Sequence, residues 1–107
     1  MNTGRRRVLA AGGLLLAAFC GPGRAAARHV VTIDAFIFTP ASLTVRPGDR
    51  VQWNNTDPVP HTVMAAGAFD SGSIDPGKAW TYTAAKTGRF DYACAFHPTM
   101  KGTLVVA

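Results

Sequence analysis

Within seven residues, Cys94-Ala95-Phe96-His97-Pro98-Thr99-Met100, the chain offers a thiol, an imidazole and a thioether. All three are soft or borderline ligands, and a loop this short, stiffened by Pro98, can fold around one ion. A second imidazole, His61, lies upstream behind Asp57-Pro58-Val59-Pro60, whose two prolines fix φ and reduce the entropy lost on ordering. Two His, one Cys and a weak Met suit copper in both oxidation states: Cu(I) favours soft sulfur, Cu(II) favours nitrogen, and little must move when an electron moves. Zinc is the poorer fit, because a closed zinc site draws on more thiolates. Taken singly, each residue has an ordinary use as a surface histidine, a small buried hydrophobe or a core filler; the combination carries the chemistry.

Ligands so divided need a frame that carries residue 61 to residues 94–100. Downstream of Ala27 no long window shows the 3.6-residue apolar spacing of a helix; short runs rich in Val, Ile, Thr, Phe, Tyr and Trp recur instead. The expected strands are His29 to Ile33, Phe36 to Phe38, Ser42 to Arg46, Arg50 to Asn55, Thr62 to Ala65, Lys78 to Thr83, Gly88 to Ala93 and Gly102 to Val106. Pro47-Gly48, Asp57-Pro58, Asp75-Pro76-Gly77 and Lys86-Thr87-Gly88 punctuate them as turns. Seven to eight short strands of this kind make an all-β sandwich or barrel.

Alternation puts Val51, Trp53 and Asn55 on one face of their strand, Trp80 and Tyr82 on one face of theirs, and Phe90, Tyr92 and Cys94 in line on another. That line points Cys94 inward behind two aromatics, where a metal ligand is screened from water. Trp53, Trp80, Phe38 and Phe90 read as core, Met64 as packing rather than rim, and His29 as a solvated residue rather than a ligand.

Met1 to Ala27 is composed differently: Arg5-Arg6-Arg7, an apolar run of 13 residues from Val8 to Cys20, then Gly21-Pro22-Gly23 and Ala25-Ala26-Ala27. A basic start, a short apolar run and a small-residue exit are the layout of a cleavable export signal over residues 1–27, with the cut expected after Ala27 and the periplasm as destination. The run falls short of the roughly 20 residues that a bilayer-spanning helix needs, so no stable membrane span is expected. Arg5-Arg6-Arg7-Val8-Leu9 resembles a twin-arginine signal and fits an ordinary basic start equally well, while Phe19 before Cys20 argues against a lipid anchor.

Removing 27 of the 107 residues leaves a domain at 28–107 with seven basic residues against six acidic ones. The formal net charge of +5 thus belongs mostly to the leader, and the remainder carries no electrostatic footprint for nucleic acid. Cys94 is then the only thiol, so a disulfide cannot staple this small domain and a bound metal is the remaining staple.

Pro60-His61, followed by Tyr92-x-Cys94-x-x-His97-Pro98-x-Met100-x-Gly102, resembles the cupredoxins, and among them the amicyanin and plastocyanin group with its short copper loop. Phe36-x-Phe38-x-Pro40, Val45-x-x-Gly48-Asp49-x-Val51-x-Trp53 and Gly88-x-Phe90-x-Tyr92 extend the resemblance over nearly all of residues 28–107. It implies a Greek-key β-sandwich holding one copper ion through His61, Cys94, His97 and an axial Met100, a type 1 (blue) copper site cycling Cu(II)/Cu(I) in a single-electron carrier that is not an enzyme. It also implies that Asn55, or less well Asn54, braces the cysteine loop from beside the first histidine. Ala95 stands where relatives often have Thr or Ser, so it offers that brace no hydroxyl, and Phe96 replaces a proline of the amicyanins. Such changes bear on the reduction potential more than on copper binding. The family's electron route leaves by the edge of the later histidine, here His97, through an apolar patch expected around Pro60, Phe96 and Pro98, where a periplasmic redox partner, a dehydrogenase or a cytochrome, would dock.

The rival function on the same ligands is copper storage, delivery or resistance. A hydrolase drawn on Cys94 with His61 or His97 is set aside on size, since a domain this small leaves little room for a substrate cleft and offers no evident orienting group or oxyanion hole.

Overall fold

The computed structural model describes residues 24–107; the expected leader up to Gly23 lies outside the described residues. Among the described residues nine short strands form: β1 (Arg28–Asp34), β2 (Ile37–Thr39), β3 (Ser42–Val45), β4 (Arg50–Asn55), β5 (Met64–Ala65), β6 (Phe69–Asp70), β7 (Ala79–Thr83), β8 (Gly88–Ala93) and β9 (Lys101–Val106). They build two sheets, ordered β2-β1-β4-β7 and β3-β9-β8-β5-β6. Among the described residues there is no helix, and the architecture is the all-β sandwich that the alternation predicts.

The period of two explains the two layers. Val51, Trp53 and Asn55 along β4 and Gly102, Leu104 and Val106 along β9 are buried, so each sheet has one largely apolar face to cover. Trp53, fully buried, occupies the middle; its ring meets Tyr92 of the opposite sheet edge-on at 5.4 Å between centroids, while Trp80 and Phe69 lie at 5.6 and 5.9 Å. Phe38 is core as expected, whereas Trp80 and Phe90 are only half-buried and pack against it. Two pairings, β1 with β4 and β3 with β9, are parallel, so the chain crosses between sheets before it returns to a neighbour.

Several expected bounds move, each for a local reason. Phe36 belongs to the turn before β2 rather than to the strand, with φ at +62°. The strand expected from Thr62 shortens to Met64–Ala65, because the Thr62 N–H is given to a sulfur and Val63 pairs with Ser71. Phe69–Asp70 adds a strand too short to stand out in the sequence. Met64 is exposed rather than packed, since it falls on the outward side of β5.

Tyr92 faces Gly102 across the β8–β9 ladder, and a Cβ at Gly102 would run into the Tyr92 ring. The glycine therefore lets the aromatic line that ends at Cys94 lie flat in the core. At the other end of the sandwich Asp49 is buried. It accepts the Ala27 N–H at 2.9 Å, the Arg46 N–H at 3.1 Å and the Arg24 guanidinium at 2.9 Å, and faces His29 Nε2 at 3.0 Å. The Ala27 N–H first, then His29, Arg46 and Arg24, hold its carboxyl far below the usual carboxylate range against the opposing pull of burial. His29 is thus paired with an acid rather than simply solvated, and the Ala27 carbonyl also accepts the Arg50 N–H at 2.9 Å, so the packing reaches back past the expected cut.

A depressed carboxyl adds stability above its unfolded-state pKa of about 3.9 and loses it as pH falls through the folded value. At pH 7 a chain starting at Arg24 should therefore melt at a higher temperature than one starting at Arg28, and Asp49→Ala should shrink that difference to the share of the Ala27–Arg50 backbone bond; equal melting of the two chains would show the upstream contacts to be idle. Gly102→Ala should cost about 1–3 kcal/mol in denaturant unfolding through displacement of Tyr92.

Candidate metal centre

Two turns and one strand end build the centre. β8 stops at Ala93, so Cys94 opens the next loop with its side chain still directed inward, 1% exposed. The loop closes on itself: Cys94 N–H donates to the Met100 carbonyl at 3.1 Å, His97 N–H to the Cys94 carbonyl at 3.2 Å, and Met100 N–H to the His97 carbonyl at 2.9 Å. Met100, buried, closes it before β9. His61 comes from a separate segment, fixed by reciprocal bonds with Ile74 at 3.1 and 2.7 Å, and is fully buried.

The structure brings three of the expected ligands together. Cys94 Sγ lies 3.7 Å from His61 Nδ1 and 3.8 Å from His97 Nδ1, and all three donor atoms fall within 4.8 Å of one another. An ion bonded to sulfur at about 2.3 Å and to nitrogen at about 2.0 Å, with about 120° between them, would space the sulfur from each nitrogen by about 3.7 Å. The residues present therefore fit a first-row metal ion that all three would hold.

Electrostatics favour the ligating form of the cysteine. Burial pushes the Cys94 thiol up, but the Thr62 N–H at 3.3 Å, the two imidazoles and the Phe96 N–H outweigh it and bring the pKa down to about 6. Asp57 is buried beside His61, its carboxylate oxygen 2.7 Å from Nε2. Burial pushes the Asp57 carboxyl up, and the N–H groups of Phe36 and Ala35 together with His61 more than reverse that, leaving it below the usual range. A carboxylate only accepts, so Nε2 of His61 carries a proton toward Asp57, and Nδ1 is the nitrogen that faces Cys94 and that an ion would take.

Asn55 braces a different neighbour from the one expected. Its amide donates to the carbonyls of Val59 and Ile74, at 2.8 and 2.9 Å, and its oxygen accepts the Asp57 N–H at 2.9 Å, all on the His61 side. The cysteine loop is tied instead by Thr62, whose hydroxyl accepts the Ala95 N–H at 2.7 Å while its own N–H meets Cys94 Sγ. With no hydroxyl at Ala95, the brace has moved to the residue after His61. Asn54, the alternative brace, is half-buried on the other face of β4.

His97 is half-buried, and Pro60, Phe96 and Pro98 are exposed, as the apolar patch requires. Phe36, read from sequence as strand, stands over the same place: its ring meets His97 at 4.6 Å and His61 at 5.1 Å, both nearly perpendicular. In the sequence Asp57 and Thr62 likewise read as turn and strand residues. Their positions four before and one after His61 are the only signals the sequence holds for them.

The Cupredoxin-like domain family model matches residues 8–106. An amicyanin of Paracoccus denitrificans is 31% identical over 83 residues, the match covering 72% of this chain and 63% of the relative, so the chain spans just under two thirds of that protein's length. A chloroplastic plastocyanin of Tetradesmus obliquus is 30% identical over 107 residues, covering 86% of this chain and 74% of the relative. A solved amicyanin mutant in the Cu(I) state superposes with a TM-score of 0.71 at 28% identity, over 74% of this chain and 81% of that one.

A cysteine whose folded pKa is about 6 contributes stability above its unfolded pKa of about 8.5 and loses it as pH falls through 6. The metal-free protein should therefore gain stability between pH 6 and about 8.5, with thiolate absorbance titrating near 6, and Cys94→Ala should flatten that rise. A thiolate midpoint near 8.5 would contradict the hydrogen-bonding reading.

Proposed function

The chain belongs to the cupredoxin-like domain family, and on that premise we propose that it is a periplasmic type 1 copper protein that carries single electrons between redox partners. The observation that carries the reading is the convergence of His61 Nδ1, Cys94 Sγ and His97 Nδ1 in a buried pocket. Copper held there would supply a Cu(II)/Cu(I) couple that accepts and returns one electron. Met100, buried where the loop rejoins the sheet, is the fourth and weak ligand in this reading.

The remaining work belongs to the chain. The two sheets and the three bonds that close the Cys94–Met100 loop fix the ligands before an electron arrives, so the geometry changes little with oxidation state. His97 alone among the three converging ligands reaches the surface, which makes its ring the exit for the electron. Exposed Pro60, Phe96 and Pro98 surround that ring with apolar surface and favour a close, dry approach by a dehydrogenase or a cytochrome. Deep burial of His61, Cys94 and Met100 leaves only one side open, an arrangement that suits electron passage better than ready release of the metal to an acceptor. Export rests on the leader layout of residues 1–27, with removal near Ala27, and among the described residues no helix is long and apolar enough to cross a membrane.

The copper-loaded, oxidised protein should show an intense thiolate-to-copper band in the visible. Cys94→Ser should abolish it, while Met100→Gln should keep it and lower the reduction potential, because an oxygen ligand favours Cu(II). A colourless oxidised protein would defeat the type 1 assignment, and an unchanged potential in Met100→Gln would remove Met100 from the residues that would hold the copper. Rapid electron self-exchange supports the carrier; fast copper transfer to a metal-free acceptor protein, with slow self-exchange, would favour delivery.

A further inference from the structure

Between β1 and β2 the chain reverses through Ala35 and Phe36 at φ +53° and +62°. That is the type I′ form of a two-residue hairpin turn, which demands left-handed backbone at both positions, and Asn-Gly supplies it without help. Ala-Phe does not, and a bulky residue at positive φ is an outlier that its surroundings must hold. One carboxylate holds it here: Asp57 Oδ1 accepts the Ala35 N–H at 2.6 Å, and Oδ2 accepts the Phe36 N–H at 3.0 Å. Oδ2 also takes the Nε2 proton of His61 at 2.7 Å. The turn so held lays the Phe36 ring against both imidazoles, at 88° to His61 and 89° to His97, while the residue stays 44% exposed.

We propose that Asp57 is a positioning residue of the metal centre and Phe36 its aromatic cover, a single clamp in which one side chain sets both the tautomer of His61 and the ring that shields the two imidazoles from solvent. The inference rests on the metal reading above and adds to it two residues outside the ligand set. With Nε2 held by the Asp57 acceptor, Nδ1 is the nitrogen of His61 turned toward Cys94 Sγ, 3.7 Å away. Edge-on contacts from Phe36 restrict rotation of both rings and keep water from their outer faces.

Three measurements test the clamp: Cu(I) affinity by competition with a chromophoric chelator, the His61 tautomer by long-range proton–nitrogen spectra of the metal-free protein, and the exchange of the His61 Nε2 proton with water in the same spectra. Asp57→Asn places an amide where three donors need an acceptor. It should weaken Cu(I) binding by about 10- to 100-fold and shift the His61 proton from Nε2 toward Nδ1, with Asp57→Glu recovering part of both. Phe36→Ala should retain the tautomer while the Nε2 proton of His61 exchanges faster with water. Should Asp57→Asn not fold, the same change in an Ala35→Asn, Phe36→Gly background, whose turn needs no carboxylate, takes its place. Unaltered affinity and tautomer in Asp57→Asn, with the wild type binding Cu(I) normally, would overturn the clamp and leave the metal reading standing. A wild type that takes up no Cu(I) would overturn both.

Discussion

A sulfur and two imidazole nitrogens held within 4.8 Å of one another in the protein interior need a proton or a metal ion between them, and the rest of this fold serves to hold them there. A buried thiolate is costly on its own. Here the Thr62 N–H meets the sulfur, the Thr62 hydroxyl ties the following residue, and Asp57 claims the far nitrogen of His61 so that its near nitrogen is left for an ion. Each bond withdraws an alternative use of a ligand atom. The donor triangle is accordingly set by the protein.

The sandwich makes that meeting possible between segments 33 residues apart. β8 delivers Cys94 at the end of an inward line of aromatics, and the bridge between His61 and Ile74 delivers the imidazole from the other side. Trp53 and Tyr92, packed edge to face at 5.4 Å, join the two sheets directly behind the centre. Close packing of that kind resists the small displacements that a change of ligand preference would otherwise cause. The exposed edge of His97 is where the rigid interior meets the partner surface.

Much of this was legible in the residues. Period-two alternation located β4 and β8 with their bounds unchanged, because in both a full run of apolar and polar positions sits between clear turn residues. The ligands stood out because Cys94, His97 and Met100 fall in one short loop, and chemistry concentrated in sequence survives any choice of fold. Phe36 and Asp57 were hidden for the opposite reason. Ala35-Phe36 does not look like a turn, since the group that stabilises it lies 21 and 22 residues away, and long-range bonds leave no local trace. The transfer of the loop brace from Asn55 to Thr62, and the pairing of His29 and Arg24 with Asp49, are likewise tertiary choices between side chains that could each have faced water.

The most direct test of the central claim is a pair of crystal structures of the copper-loaded protein, oxidised and reduced. The expected result is one ion bonded to His61 Nδ1, Cys94 Sγ and His97 Nδ1, with those side chains in the same rotamers in both states. An ion bound elsewhere, or a histidine that swings away from the sulfur on reduction, would contradict it.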